Sequence, residues 1–88
     1  MSKACKIEYV TPAHNGRVAG FAGTDGDGRP WRLSRDELIL AIETGAMTCY
    51  VTFEGHSHLV TLTRDAEGNK ALVTFLGEIE ALPLPASR

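Results

Sequence analysis

Few residues in this chain are equipped for chemistry: Cys5 and Cys49, Ser57 between His56 and His58, and several paired carboxylates. Two imidazoles in G-H-S-H together with the cysteines would supply a four-ligand zinc set. The spacing argues against it, since no C-x-x-C or H-x-x-x-H pair occurs, and two exposed turn histidines are the simpler reading. Nucleophilic catalysis would need Cys49 or Ser57 beside a base. Cys49 shares the apolar parity of Met47 and Val51, which makes it a buried, inert thiol. Ser57 lacks the glycine-flanked elbow that exposes a hydrolase serine. Asp25-Gly26-Asp27-Gly28 is reminiscent of a calcium loop, but Pro30 and Asp36 stand where such a loop needs Gly and Glu, so it reads as a flexible turn. Asp36 and Glu37 suit the positive end of a helix, and Glu78 with Glu80 suits a solvated segment. No catalytic residue, metal or cofactor is expected, and the chain is not read as an enzyme.

Two signals concern binding instead. Arg29, Trp31, Arg32 and Arg35 gather cations and one aromatic ring around a helix start, where backbone N–H groups and the helix dipole favour anions. Asp25, Asp27, Asp36 and Glu37 lie in the same stretch and offset much of that charge. The second signal is a neutral row, Thr48, Tyr50 and Thr52 on one strand with Thr61 and Thr63 on the next, a sheet face suited to a protein partner or to a second copy.

The elements that must position these residues are organised around residues 31–51, WRLSRDELILAIETGAMTCYV. Ser34 is a good N-cap and Glu37, three residues on, completes a capping box, with Leu33 and Leu38 at the staple positions. Leu38, Ala41 and Ile42 recur at the spacing of one buried helical face, and Gly45 stands where a left-handed cap is needed. Met47, Cys49, Val51 and Phe53 then alternate with Thr48, Tyr50, Thr52 and Glu54, as in a strand with one covered face. Before the helix, residues 5–11 form a first strand with Cys5, Ile7 and Tyr9 inward. His14-Asn15-Gly16 supplies a hairpin turn and residues 17–22 its partner strand, with Gly20 marking a bulge. Residues 23–30, GTDGDGRP, read as a flexible connection. After the helix, strands are expected at 59–64 and 71–76 around the polar loop 65–69, then a helical turn within 78–82 and a frayed tail from 83.

The order β-β-α-β-β-β predicts an α+β domain, with one helix on a curved, mainly antiparallel sheet of about five strands. Its 88 residues make a single domain, residues 1–88, with an ordered core over 5–82. A formal charge of −2 argues against a large nonspecific nucleic-acid surface. No run is long and apolar enough for a membrane span or a secretory signal, so a cytoplasmic chain with reduced thiols is expected and no membrane partner.

These motifs carry a resemblance. An N-terminal hairpin, a Gly-rich turn, an aromatic before the capped D-E-L-I-x-A-I-E-x-G helix, a Y-V-x-F strand and a terminal L-x-L-P together resemble an uncharacterised family of small bacterial domains of unknown function. The similarity runs over residues 7–83. It departs at Gly77-Glu78-Ile79-Glu80, short and acidic where that family tends to be longer and basic. It implies a fold and no catalytic residue. The function expected is a small protein-interaction module without chemistry of its own, a homodimer ahead of a monomer. The alternative is a nucleic-acid-binding accessory protein using Arg29, Trp31, Arg32 and Arg35.

Overall fold

The computed structural model describes residues 3–12, 18–82 and 84–85. Its elements are β1 (Lys3–Pro12), β2 (Val18–Asp25), β3 (Pro30–Ser34), α1 (Arg35–Glu43), β4 (Met47–Phe53), β5 (His56–Leu59), β6 (Thr61–Arg64), β7 (Lys70–Thr74), β8 (Gly77–Glu78) and a 3-10 turn (Ile79–Ala81). A five-stranded sheet runs β3-β2-β1-β4-β5 and a three-stranded sheet runs β6-β7-β8. The β1–β4 pairing is parallel and the others are antiparallel. The α+β class, the single helix and the mainly antiparallel five-stranded sheet agree with the sequence reading. The second sheet and the larger number of strands correct it.

The helix forms where its signals place it. The Ser34 hydroxyl accepts from the Glu37 N–H at 3.1 Å while the Glu37 carboxylate accepts from the Ser34 N–H at 2.9 Å, a complete capping box. At the other end Gly45 adopts φ +79°, and the Gly45 and Ala46 N–H groups donate back to Ile42 and Ala41, which satisfies carbonyls the last turn leaves open. The buried face differs from the expected one, for Leu38 and Ile39 are buried while Ala41 and Ile42 are half-buried. Two sheets flank the helix, which packs on β2, β3 and β4 and also on β6 and β7, so adjacent positions 38 and 39 both meet apolar neighbours.

Strand β1 is not regular. Ile7 pairs with Gly23 and Tyr9 with Ala22, leaving Glu8 as an extra residue that reverses the side-chain parity. Cys5 and Ile7 therefore face the core as expected, whereas Tyr9 turns outward at 42% exposure and Val10 packs inward. A second shift falls at Ala19, next to the glycine expected to mark it. Gly20 and Gly23 keep β2 against its neighbours, since a Cβ would strike the Leu33 carbonyl at the first and the Lys6 carbonyl at the second.

Residues 23–30 are ordered rather than a flexible connection. Gly23 to Asp25 finish β2, and β3 begins at Pro30. Between them one Asp25 carboxylate oxygen accepts from the Asp27 N–H at 2.9 Å and the Arg29 N–H at 3.0 Å, and Gly28 takes φ +79°. Asp65 repeats the device, accepting from the Glu67 and Asn69 N–H groups at 2.9 Å, with Gly68 at φ +87°. Glu54 and Gly55, both at positive φ, close the β4–β5 hairpin as a primed turn. The expected His14-Asn15-Gly16 turn lies outside the described residues.

The single strand expected at 59–64 is split. β5 ends at Leu59 and β6 starts at Thr61, and the buried Val60 between them donates its N–H to the Cys49 carbonyl at 2.9 Å as the chain passes from one sheet to the other. The core lies between the two sheets and α1, built from Cys5, Ile7, Phe21, Leu38, Ile39, Cys49, Val51, Val60, Leu72 and Ile79. Packing continues past residue 82, where the tail was expected to fray: Leu84 packs on this core and the Pro85 carbonyl accepts from the Val10 N–H at 3.0 Å.

Candidate functional site

Cys5 and Cys49 are register partners on the parallel strands β1 and β4, both on the core face and both free thiols. Burial pushes the Cys49 thiol up to about 12, with Cys5 adding to the effect, and burial also raises Cys5 against the opposing pull of Lys3. A thiol held protonated in this way is no nucleophile at neutral pH. His56 and His58 lie on β5 opposite Phe53 and Val51, and Ser57 faces the other way opposite Thr52, so the three are not joined into a base and nucleophile pair. Among the described residues no three His, Cys, Asp or Glu side chains converge as a metal site.

The acidic residues have structural work. Asp25 also takes Lys3 at 2.8 Å, and that bond with the turn amides lowers its carboxyl to about 2. Glu37 is lowered by the Ser34 amide it caps, and Asp65 by the Asn69 amide. Glu43 takes Lys70 at 2.7 Å and Arg64 at 3.8 Å, which ties α1 to the second sheet and lowers its carboxyl.

The expected cation cluster does not assemble around the helix start. Arg29 lies exposed in the β2–β3 turn. Trp31 packs against the core on the inner face, opposite Gly23, with its indole N–H buried and lacking an acceptor among the described residues. Arg32, its neighbour in an extended strand, points to the outer face. Arg35 is ion-paired with Glu80 and donates to the Lys70 carbonyl at 2.8 Å, so its guanidinium braces α1 against β7 and the 3-10 turn. These contacts border an open groove of about 950 Å³ with Ile39 and Leu40 on one wall.

The threonine row is likewise divided. Thr48, Tyr50 and Thr52 share the outer face of the five-stranded sheet, where Lys6 and Leu59 flank Tyr50 on the neighbouring strands. Thr61 and Thr63 belong to β6 in the other sheet. Thr48 and Thr61 both line, with Ile42, Met47, Leu59 and Leu62, a depression of about 640 Å³ at the β5–β6 corner.

Two features escaped the sequence reading. The first is the extent of the outer face beyond the expected Thr48, Tyr50 and Thr52 row, where Tyr9 joins Tyr50 because the bulge at Glu8 reverses its parity, and where Arg32 and Tyr9 stand either side of Ala22. The second is Leu59, which was counted into a longer strand and instead ends an edge strand at 57% exposure. No helix among the described residues is long and apolar enough to cross a membrane. No protein-family model matches this chain, and neither a curated protein nor a solved structure shows significant similarity to it.

Proposed function

We propose that the chain is a small protein-interaction module without chemistry of its own, and that its first partner is a second copy of itself. The observation that carries this is the stretch HSHLVTLTR, residues 56–64. Among the described residues β5 stands at the edge of one sheet and β6 at the edge of the other, so both present a strand edge on consecutive segments. Leu59, more than half exposed at 57%, rises from this edge beside the depression lined by Ile42, Met47 and Leu62. An isologous contact would bring the same patch of two copies together, each Leu59 covering the other's depression and the edge strands meeting across the two-fold axis. Such a contact would add the buried apolar area that an 88-residue chain is short of.

Light scattering across a dilution series tests the reading. The expected result is a dimer mass at high concentration that falls to the monomer on dilution, and a monomer at every concentration for Leu59→Lys or Thr61→Lys. A parent chain that stays monomeric at high concentration overturns it.

A further inference from the structure

We infer that the outer face of the five-stranded sheet is a binding surface for single-stranded nucleic acid. Its outward positions are set by register rather than by any single motif. On β3 and β2 they include Arg32, Ala22 and Thr24; on β1, Lys6 and Tyr9; on β4, Thr48, Tyr50 and Thr52. Neither α1 nor the second sheet covers this side, because both pack on the opposite, apolar face. The surface thus combines two aromatic rings, two cations and a lawn of small hydroxyl side chains. Bases of any identity stack on aromatic rings, and cations follow the phosphates, which is the combination that binds single strands without reading sequence.

Charge placement supports a polyanionic partner over a protein one. The chain has eleven carboxylate side chains and a net charge of −2, yet nine of the eleven lie in the hairpin turns, on α1 or around β8 and the 3-10 turn, and a tenth, Asp25, ends β2. Apart from Asp25 at the end of β2, Glu8, the bulged residue, is the one carboxylate within the five strands of this sheet as described, and it lies 3.7 Å from the Lys6 ammonium. Most of the carboxylates thus lie outside the strands that carry Lys6 and Arg32. The tyrosines are spaced for separate bases, with Tyr50 directly beside Lys6 across the β1–β4 junction and Tyr9 three residues further along β1.

This inference does not rest on self-association at the β5–β6 edge, although Thr48 and Leu59 border both surfaces, and its readout is separate. Fluorescence anisotropy with a labelled oligothymidylate of about 15 nucleotides at low salt tests it directly. Binding is expected, weakened on the order of ten-fold by Tyr9→Ser and by Tyr50→Leu, with Tyr50→Phe close to the parent. Leucine keeps the apolar bulk at 50 and Tyr9 is exposed, so both variants should fold, and their thermal melts verify it. Lys6→Gln and Arg32→Gln should each lower the slope of log affinity against log salt by about 0.7. The inference is overturned by absence of binding at low salt, by tyrosine variants that bind like the parent, or by duplex DNA bound as tightly as the single strand. Occupation of the face by a second copy or by another protein would appear as the first of these outcomes.

Discussion

At the scale of single residues, the strongest constraints fall on side chains whose removal leaves a hole and on glycines where an added atom has no room. Leu38 is fully buried under both sheets, and Leu38→Ala should cost about 2 to 5 kcal/mol in a denaturant melt. Ile39→Ala should be the next most costly on the helix, ahead of the half-buried Ile42→Ala, a ranking that follows from the second sheet and reverses the one the periodicity implies. Gly23→Ala should be as damaging as a core truncation, because the new methyl would be driven into the Lys6 carbonyl of the neighbouring strand. If Gly23→Ala melted with the parent, the close approach of β2 to β1 would be wrong.

Ionisable residues give a pH profile with two limbs. Asp25 has its folded-state value lowered from 3.8 to about 2, so its contribution is present above the unfolded value and is lost as pH falls from about 4 towards 2. Cys49 works at the other end: its value is raised from 9.0 to about 12, so ionisation in the unfolded chain draws stability away as pH rises above 9. Melts from pH 2 to 11 should show Asp25→Asn losing part of the acid limb and Cys49→Ala losing part of the alkaline one. Identical limbs in parent and variants would dismiss both assignments.

At the scale of elements, what was legible in the sequence was whatever is encoded locally. The capping box, the glycine after the helix and the alternation of β4 all depend on residues within a few positions of one another, and each formed where the pattern placed it. The hairpin over 25–29 is also local, but its code is D-x-x-G, in which an aspartate holds two amides and a glycine takes positive φ, and glycine richness alone suggested flexibility. The same code recurs at Asp65 and Gly68. Gly28→Ala and Gly68→Ala should each cost about 1 kcal/mol or more, as a left-handed conformation does for any residue with a Cβ. The test is the denaturant midpoint of each variant against Gly26→Ala, whose glycine has negative φ and whose midpoint should hardly move.

The features the sequence hid are those that depend on distant register. The bulge at Glu8 is invisible in residues 5–11, which alternate well as they stand, and it arises only because Ile7 and Tyr9 must meet Gly23 and Ala22. One extra residue moves Tyr9 from the core to the outer face. The split at Val60 is similar, since 59–64 is an acceptable single strand until its two halves find partners in different sheets. The candidate cluster of Arg29, Trp31, Arg32 and Arg35 was contiguous in sequence but came apart because a strand sends neighbours to opposite faces and because Glu80 took Arg35.

At the scale of the whole molecule, the parallel β1–β4 junction is the feature on which the rest depends. Among the described residues only 3–6 pair with 47–50; beyond that point the bulge carries β1 away from β4 and leaves a cleft between the two strands. The tail walls this cleft, with Leu82, Leu84 and Pro85 lining it together with Ile7, Val51 and Phe53, and the Pro85 carbonyl takes the Val10 N–H that β4 does not reach. The tail therefore borders the sheet's central gap, and Leu82 and Leu84 pack against the core. Leu84→Ala should lower stability by about 1 to 3 kcal/mol, and a chain ended after residue 82 should lose at least as much, because it also strands the Val10 amide. Hydrogen exchange supplies the second measurement: the Val10 amide should exchange slowly in the full chain and rapidly in the shortened one. A shortened chain with an unchanged midpoint and a still-protected Val10 amide would return the boundary of the folded unit to residue 82.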